Sequence, residues 1–224
     1  MINKKLVIII PARMNSKGII KKNLKKINGK SLINITINQA LKLNPHKIII
    51  SSEDQTLEKK IIKKNNIFFY RRPTYLSKDN VHTVNVVLDC IKKFNVNKKS
   101  LVGMMLPTYP LREIDKIKKN INKYNYKKTY SLIAVTKTKF NNNNIRFLDK
   151  SKNLIADNFD LSQRQNSKTV YYVNGAFFLT ICKNLLKNKN FHNSKNMQPI
   201  FCDPKKSIDI NDLSDLKAAR KHFK

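Results

Sequence analysis

Short apolar runs recur along the first 135 residues of the chain, and a polar segment follows each of them. Runs of this length, rich in aliphatic residues, are typical of parallel β-strands that are buried on both faces of a sheet. We therefore predict five strands in this half of the chain, at Leu6–Ile10, Lys47–Ser51, Ile67–Tyr70, Leu101–Leu106 and Tyr130–Val135.

Helical periodicity separates these strands. After Ser31, which is a good N-cap residue, apolar residues recur at helical spacing as far as Leu41. Further helices are predicted at 51–64, 83–94 and 112–123. Because strands and helices alternate regularly, the fold class is predicted to be α/β, with three layers around a mainly parallel sheet.

The pattern changes after residue 136. Residues 137–170 are polar and contain only short strand-like pieces, at Ile145–Leu148 and Leu154–Ile155. We predict an inserted hairpin here that serves as a lid or as a dimerisation arm. The remaining predicted elements are a strand at 171–180, a helix at 181–186, a short strand at 207–210 and a closing helix at 213–223.

The length and composition fit one globular domain, residues 1–224, of which 41% are hydrophobic. No apolar run approaches the roughly 20 residues of a membrane helix, and the first run is shorter than the ~7–15 residues of a signal-peptide core. The three cysteines and four histidines are scattered, so neither a disulfide framework nor a zinc site is indicated. We expect a cytoplasmic protein without a membrane partner.

The formal net charge of +32 would ordinarily suggest a nucleic-acid partner. However, the cations are spread along the whole chain, and only seven of the 46 are arginines. A chain rich in Lys, Asn and Ile is typical of an A/T-rich coding sequence, which argues against a nucleic-acid role for this charge. In such a chain each arginine is a candidate for a planar, bidentate contact, and each of the four glycines for a backbone requirement.

The loop after the first predicted strand carries the densest group of candidate binding residues. Between positions 11 and 23 it contains Arg13, Ser16, Lys17, Gly18, Lys22 and Asn23. Ligands of open α/β sheets bind beyond the carboxyl ends of the strands, so this loop is predicted to hold a polyanion such as a phosphate chain. The alternative is a solvated basic loop.

Three further loops are expected to converge on the same cleft. They are residues 71–83, with Arg72 and with Thr83 at a helix start, residues 107–112, and the segment that contains Asp209. Asp209 is a candidate Mg²⁺ ligand, or alternatively a turn or capping residue. Neither a P-loop nor a dinucleotide-binding motif is present, and the residue types favour phosphoryl or nucleotidyl transfer.

The motif P-A-R-x-x-S-K-G-x-x-x-K-N at 11–23 resembles the signature of the CMP-N-acylneuraminate cytidylyltransferases. Weaker matches follow in order along the chain, namely N-G-K-S-L at 28–32, R-P-x-x-L-S-x-D at 72–79, P-T-Y-P-L-R at 107–112, R-Q at 164–165, N-G-A-F-F at 174–178 and S-I-D-I at 207–210. The resemblance implies a Rossmann-like fold of the nucleotide-diphospho-sugar transferase type. It implies an enzyme that joins CTP to a nine-carbon 2-keto acid sugar, giving CMP-sugar and pyrophosphate for surface glycans such as lipopolysaccharide or capsule.

The same resemblance implies residue roles. The triphosphate would be bound by Arg13, Ser16, Lys17 and Lys22, of which Arg13 and Lys22 would be catalytic. The cytosine and ribose would be bound by Asn23, Arg72 and Thr83, and the Mg²⁺ cofactor by Asp209 with Asn211. The sugar would be bound by Arg164, Asn174 and Phe178, with Arg164 contributed across a homodimer and Arg164 or Lys139 pairing with the sugar carboxylate.

Two positions depart from the family pattern. Leu106 replaces a common Gln, and Asn211 replaces a common second Asp, which halves the carboxylate charge offered to a metal. Legionaminic and pseudaminic acid are alternative substrates to sialic acid, whereas the eight-carbon Kdo cytidylyltransferases resemble the chain less. The alternative function is a weak or inactive homologue that acts as a basic module for anions or nucleic acid.

Overall fold

The computed structural model describes residues 5–14, 18–139, 147–148, 154–155, 169–192 and 196–223. Its strands are β1 (Leu6–Pro11), β2 (Lys26–Ile27), β3 (Lys30–Ser31), β4 (Lys47–Ser52), β5 (Ile67–Arg71), β6 (Leu101–Met104), β7 (Ser131–Lys137), β8 (Phe147–Leu148), β9 (Leu154–Ile155), β10 (Tyr171–Ile181) and β11 (Met197–Cys202). Its α-helices are α1 (Leu32–Leu41), α2 (Thr83–Lys93), α3 (Ile114–Lys123), α4 (Cys182–Asn188) and α5 (Leu213–His222).

Seven strands form the central sheet, in the order β11-β7-β10-β6-β1-β4-β5. All neighbouring pairs are parallel except those of β10, which is antiparallel to both β6 and β7. The predicted mainly parallel sheet is therefore confirmed. Because β1, β4, β5 and β6 are parallel, their carboxyl ends meet at one edge of the sheet.

Both faces of the sheet are buried, which explains the uninterrupted apolar runs. Alternate side chains of β1 point to opposite faces. On one face Ile8 and Ile10 pack in a core with residues of α1 and α3, whereas on the other Val7 and Ile9 pack in a core with residues of α2 and α4. This arrangement gives the predicted three layers. No helix in the described residues is long and apolar enough to cross a membrane.

Two predicted elements were wrong. The helix predicted at 51–64 is only a 3₁₀ segment, Gln55–Lys60, whose N-cap Asp54 accepts a hydrogen bond from the Thr56 N–H at 2.8 Å. The strand predicted at 207–210 does not form, because the Ile210 N–H donates to the Thr108 carbonyl rather than to a strand. The strand that does form in this part of the chain is β11, at one edge of the sheet. Its Pro199 is tolerated because an edge strand leaves one side unpaired.

The inserted segment is described only in part. Strands β8 and β9 pair antiparallel, with Phe147 opposite Ile155, in agreement with the predicted hairpin pieces. The rest of this segment, including Arg164, lies outside the described residues, so its role as a lid or dimerisation arm stays a prediction. The closing helix α5 is capped by Asp212, in a capping box with Asp215.

Candidate functional site

A cleft of about 270 Å³ opens at the carboxyl ends of the parallel strands. All four loops that were predicted to converge contribute to it. The side chains that line it are those of Pro11, Arg13, Lys22, Asn23, Arg72, Leu76, Ser77, Lys78, Asp79, Val81, Thr83, Val86, Leu106, Pro107, Thr108, Asp209 and Asn211. The cleft is thus lined by cations, amides and hydroxyls, by the two carboxylates of Asp79 and Asp209, and by several apolar side chains.

The first loop contributes Arg13 and Asn23. Arg13 Nη1 donates to Asp79 Oδ1 at 2.6 Å, which joins this loop to the one after β5, and both side chains are roughly half exposed. Asn23 is buried and its Nδ2 donates to the Arg13 carbonyl at 2.6 Å, so its amide holds the backbone of the loop. Ser16 and Lys17 lie outside the described residues, and their phosphate-binding roles stay predictions.

Gly18 brings the first loop against the Asp209 segment. A Cβ atom at this position would lie 2.3 Å from the Asn211 carbonyl oxygen, which is closer than two such atoms can approach. A side chain is therefore excluded here by backbone that cannot move cheaply. The prediction that this rare glycine meets a backbone requirement is confirmed.

Lys22 is buried beside the Asp209 segment. Its Nζ donates to the Ile210 carbonyl at 2.8 Å and lies 3.5 Å from Asn211 Oδ1. Burial lowers the pKa of Lys22, and the nearby Asp209 carboxylate opposes that shift. The ammonium is thus held by neutral oxygens and lines the cleft, with a carboxylate near it.

Arg72 is almost fully buried yet also lines the cleft. Its Nε donates to Ser77 Oγ at 2.8 Å and its Nη2 to Glu53 Oε2 at 3.1 Å. Burial lowers the pKa of Arg72, and the adjacent Glu53 charge opposes this. Glu53 was missed by the sequence reasoning. The chain has only 14 acidic residues, and the logic that singled out its rare arginines applies equally to an acid at a strand end.

Asp209 has one carboxylate oxygen engaged and one without a protein partner. Its Oδ2 accepts a hydrogen bond from Asn211 Nδ2 at 3.1 Å, whereas Oδ1 is buried and has no hydrogen-bond partner in the described part of the chain. Burial, with a further contribution from Asp209, raises the pKa of the neighbouring Tyr109 hydroxyl. An unpartnered carboxylate oxygen in a cleft of phosphate-binding character fits a hard cation such as Mg²⁺.

The described residues do not form an all-protein cage for a metal ion. Among the described residues no three His, Cys, Asp or Glu side chains cluster closely enough to hold a metal ion. Mg²⁺ commonly takes one or two carboxylates together with phosphate oxygens and water, so a single carboxylate suffices for a shared site. Asn211 Oδ1 faces the Lys22 ammonium, and its amide bridges Lys22 and Asp209 in this structure.

Thr83 lines the cleft from the first turn of α2, where backbone N–H groups are free to bind a ligand. Leu106 also lines the cleft, and with Leu76, Val81 and Val86 it forms the apolar part of the cleft. The Gln of the family pattern at position 106 would place an amide at this surface, whereas Leu106 presents an aliphatic side chain.

Two predicted sugar-binding residues lie outside the lining of this cleft. Asn174 is buried, and its Nδ2 donates to Thr136 Oγ1 at 2.8 Å and to Ser207 Oγ at 3.3 Å. Phe178 packs in the core against Phe191, with ring centroids 5.5 Å apart. Arg164 lies outside the described residues, and Lys139 is exposed and not part of the lining.

Asn174 instead stabilises the segment that contains Asp209, through its hydrogen bond to Ser207. Thr136 Oγ1 donates to Ser207 Oγ at 2.7 Å, and Ser207 Oγ donates to the Asp203 carbonyl at 2.8 Å. The pairing of β10 with β7 is irregular between Val173 and Phe178, and Gly175 adopts a φ of +77° there. The Asn-Gly pair therefore makes a bulge that turns the Asn174 amide toward Ser207.

Comparisons with known proteins agree with this geometry. The family model described as Cytidylyltransferase matches residues 7–219. Among curated proteins, the chain is 27% identical to the N-acylneuraminate cytidylyltransferase of Escherichia coli O18:K1:H7 over 96% of this chain and 51% of that protein. The chain thus spans about half the length of that relative.

Two relatives of similar length are also found. The chain is 25% identical to the CMP-N,N'-diacetyllegionaminic acid synthase of Legionella pneumophila, over 92% of this chain and 91% of that protein. It is 25% identical to the pseudaminic acid cytidylyltransferase of Campylobacter jejuni, over 96% and 95%.

Solved structures show the same fold at low identity. A CMP:2-keto-3-deoxy-manno-octonic acid synthetase complexed with CTP superposes with a TM-score of 0.68 at 11% identity, over 97% of this chain and 98% of the other. A 4-diphosphocytidyl-2C-methyl-D-erythritol synthase from Anaerococcus prevotii superposes with a TM-score of 0.67 at 16% identity, over 98% of both chains.

Proposed function

We propose, from the premise that this chain belongs to the cytidylyltransferase family, that it transfers the cytidylyl group of CTP to a nine-carbon 2-keto acid sugar. The anomeric hydroxyl of the sugar attacks the α-phosphorus, the bond from that phosphorus to the bridging oxygen breaks, and pyrophosphate leaves. The single observation that supports this most is the convergence of Arg13, Lys22, Arg72 and Asp209 on one cleft at the strand ends.

The triphosphate is proposed to bind between the first loop and the Asp209 segment. Arg13 and Lys22 line this part of the cleft, and their positive charges stabilise the negative charge that develops as pyrophosphate leaves. Ser16 and Lys17 would complete the site, as the motif at 11–23 implies. When the nucleotide enters, its phosphates compete with Asp79 for Arg13, an exchange that costs little because the Arg13–Asp79 pair is exposed.

The cytosine and ribose are proposed to bind beside the loop after β5. Asn23, Arg72 and Thr83 line that side of the cleft, and Val81 and Val86 offer an apolar surface to the base. Arg72 uses Nε and Nη2 within the protein, so its Nη1 is the group proposed to contact the nucleotide. The N-terminus of α2 adds backbone N–H donors.

Mg²⁺ is the proposed cofactor, and Asp209 is its proposed protein ligand through Oδ1. When bound, the ion supplies charge neutralisation to phosphate oxygens. Asn211 is a weaker candidate for a second ligand because its oxygen must first turn away from Lys22. The amide donor of Asn211 meanwhile holds Asp209 Oδ2, which leaves Oδ1 directed to the ligand.

The acceptor is proposed to be a nonulosonic acid: sialic, legionaminic or pseudaminic acid, for surface glycans. The names of the curated relatives support this class. We further propose a cytoplasmic homodimer in which Arg164 from the inserted arm completes the sugar site. Asn174 and Phe178 lie outside the lining of the cleft, so we propose that they shape the sugar site rather than contact the sugar.

A pyrophosphate-release assay with CTP, Mg²⁺ and a panel of nonulosonic acids tests the function, with mass spectrometry to identify the product. The Arg13→Lys variant, which keeps the charge and loses the planar fork, should lower kcat/KM about 10- to 100-fold. Arg220→Lys is the matched control, because Arg220 is exposed and donates only to the Lys26 carbonyl in this structure. Its kcat/KM should stay within twofold of the unmodified protein.

One result would overturn the proposed reaction, and another only the role of Arg13. Folded protein that turns over none of the sugars and binds DNA tightly in a salt-sensitive manner would favour the basic binding module. Unchanged kinetics in Arg13→Lys, with full activity in the unmodified protein, would remove Arg13 from the site while leaving the reaction in place.

A further inference from the structure

Glu53 lies directly after β4 and is outside the lining of the cleft, yet it contacts two of the loops that form it. Its side chain is only 9% exposed, and that of its partner Arg72 is 3% exposed. Three of the loops of the cleft follow β6, β1 and β5, and Glu53 occupies the end of β4, the strand between β1 and β5. It is therefore placed to act on both neighbouring loops at once.

The two carboxylate oxygens of Glu53 divide between these loops. Oε1 accepts a hydrogen bond from the Met14 N–H at 2.8 Å, which holds the backbone next to Arg13. Oε2 accepts from Arg72 Nη2 and from Ser77 Oγ, each at 3.1 Å. One carboxylate thus sets the distance between the loop that carries Arg13 and the loop that carries Arg72.

Stability is a weak reason for such an ion pair. Taking both charges out of water costs several kcal/mol, and a well-packed apolar pair of similar volume is often as stable. The pair instead fixes the orientation of the Arg72 side chain. The Glu53 and Ser77 contacts fix the plane of the Arg72 guanidinium, because a fork with two engaged nitrogens cannot rotate.

We infer that Glu53 is a positioning residue of the nucleotide site, acting through Arg72 and the Met14 backbone rather than by touching substrate. This inference rests on the proposed function, because it assigns the nucleotide to the cleft between these loops. The Glu53 charge is essential to it, since an amide at this position can still accept a hydrogen bond but cannot balance the guanidinium. Electrostatics alone would predict the reverse, because removing a negative charge near a polyanion site should improve nucleotide binding.

The test compares CTP binding by calorimetry in Glu53→Gln and in the unmodified protein, at fixed Mg²⁺ and salt. The Kd for CTP should rise about tenfold in Glu53→Gln, the scale of losing one charge-assisted hydrogen bond. Glu113→Gln is the matched control. Glu113 also accepts from a backbone N–H, that of Asp203 at 3.0 Å, and pairs with a lysine, but it lies away from the cleft. Its Kd should stay within twofold.

Glu53→Asp separates positioning from packing. It restores the carboxylate and shortens the side chain by one methylene, so a positioning role predicts a Kd between those of Glu53→Gln and the unmodified protein. A packing defect predicts the same loss of CTP affinity in both variants, or a larger loss in Glu53→Asp because Asp is smaller. In the turnover assay KM for CTP should rise with the Kd, while kcat changes less than threefold.

The outcomes distinguish this inference from the proposed function. An unmodified protein that binds no CTP would refute both. An unmodified protein that binds CTP, with a Glu53→Gln variant that binds it equally or more tightly, would overturn the positioning role alone. If Glu53→Gln does not fold, Ser77→Ala serves instead; it removes the hydroxyl that joins Arg72 and Glu53, and an unchanged Kd there would contradict the inference.

Discussion

The regions around Arg72 and Arg112 bury the same kind of side chain in opposite ways. Both arginines follow strands of the parallel sheet and both are less than 10% exposed. Arg72 pairs with the buried carboxylate of Glu53 and lines the cleft. Among the described residues Arg112 donates only to neutral acceptors, including the Ala176 carbonyl at 2.6 Å and Gln39 Oε1 at 3.0 Å, and it does not line the cleft.

The two guanidinium groups differ in how many of their N–H donors are engaged within the protein. Arg112 also donates to the Tyr109, Leu106 and Thr36 oxygens, so its fork is fully used to hold the loop that follows β6. Burial lowers the pKa of Arg112, and the nearby Tyr109 and Asp209 oppose this, but no carboxylate in the described part of the chain is hydrogen-bonded to Arg112. Arg72 engages Nε and Nη2 and keeps Nη1, and its charge is balanced by Glu53. One arginine is a structural clamp, and the other is a clamp that also lines the cleft.

Arg72→Met should have the larger effect on stability, because it removes the Arg72 charge from beside the buried Glu53 carboxylate. Breaking one partner of a buried pair costs about 3–5 kcal/mol of the free energy of unfolding. The measurement is urea unfolding at several pH values. As a control, the double variant with Glu53→Met should recover about half of the lost stability while CTP binding stays weak.

The pH dependence of that loss follows from the Glu53 carboxylate. Burial raises the pKa of Glu53, but hydrogen bonds from its own backbone and from Met14, the Arg72 charge and the Ser77 hydroxyl outweigh burial and lower it from 4.5. A lowered pKa contributes stability that is present above pH 4.5 and lost as the pH falls through the folded value. The difference in the free energy of unfolding between Arg72→Met and the unmodified protein should therefore shrink below pH 4.5. A difference that stays constant with pH would contradict the Arg72–Glu53 pairing.

Arg112→Met should cost somewhat less, about 3 kcal/mol, because it leaves several buried carbonyls without a donor but no uncompensated charge. Its acceptors do not titrate, so the loss should be the same at every pH between 4 and 8 in the same unfolding measurements. A loss that depends on pH in this range would show that an unrecognised acid pairs with Arg112.

Leu106→Gln should have the smallest effect on stability, within about 0.5 kcal/mol. Arg112 binds the Leu106 backbone carbonyl, whereas the Leu106 side chain lines the cleft, so the substitution leaves the clamp intact. The relative kcat/KM values for the panel of nonulosonic acids should change about three- to tenfold, favouring the more hydroxylated sugar. An unchanged ranking would place the acceptor away from this side of the cleft. Leu106→Met is the control for volume.

Rare residue types were the most reliable guide in the sequence. Arg13 and Arg72 were singled out because lysine is the default cation, and both line the cleft. Gly18 and Gly175 were singled out by rarity, and a Cβ on either would collide with Asn211 or with the Tyr109 ring. Composition thus pointed to positions where geometry, rather than codon drift, determines the residue.

The failures share a physical cause. The 207–210 segment has the alternation of a strand, but its hydrogen bonds go to Thr108 and to the Thr136–Asn174–Ser207 group. Asn174 is a polar residue in a motif, and only the bulge of β10 shows that its amide donates to Ser207 and Thr136 rather than lining the cleft. Pairing over such sequence distances is invisible to local periodicity.

The sequence by itself determined the α/β architecture, the edge of the sheet at which the cleft opens and the cationic character of the first loop. These follow from apolar periodicity and local residue chemistry, which act over a few positions. Only the tertiary structure decided that Glu53 joins the Arg13 and Arg72 loops and that Asp209 keeps an oxygen without a protein partner. Charge balance and hydrogen-bond completion are settled between residues far apart in the chain, so they depend on how the strand ends are brought together.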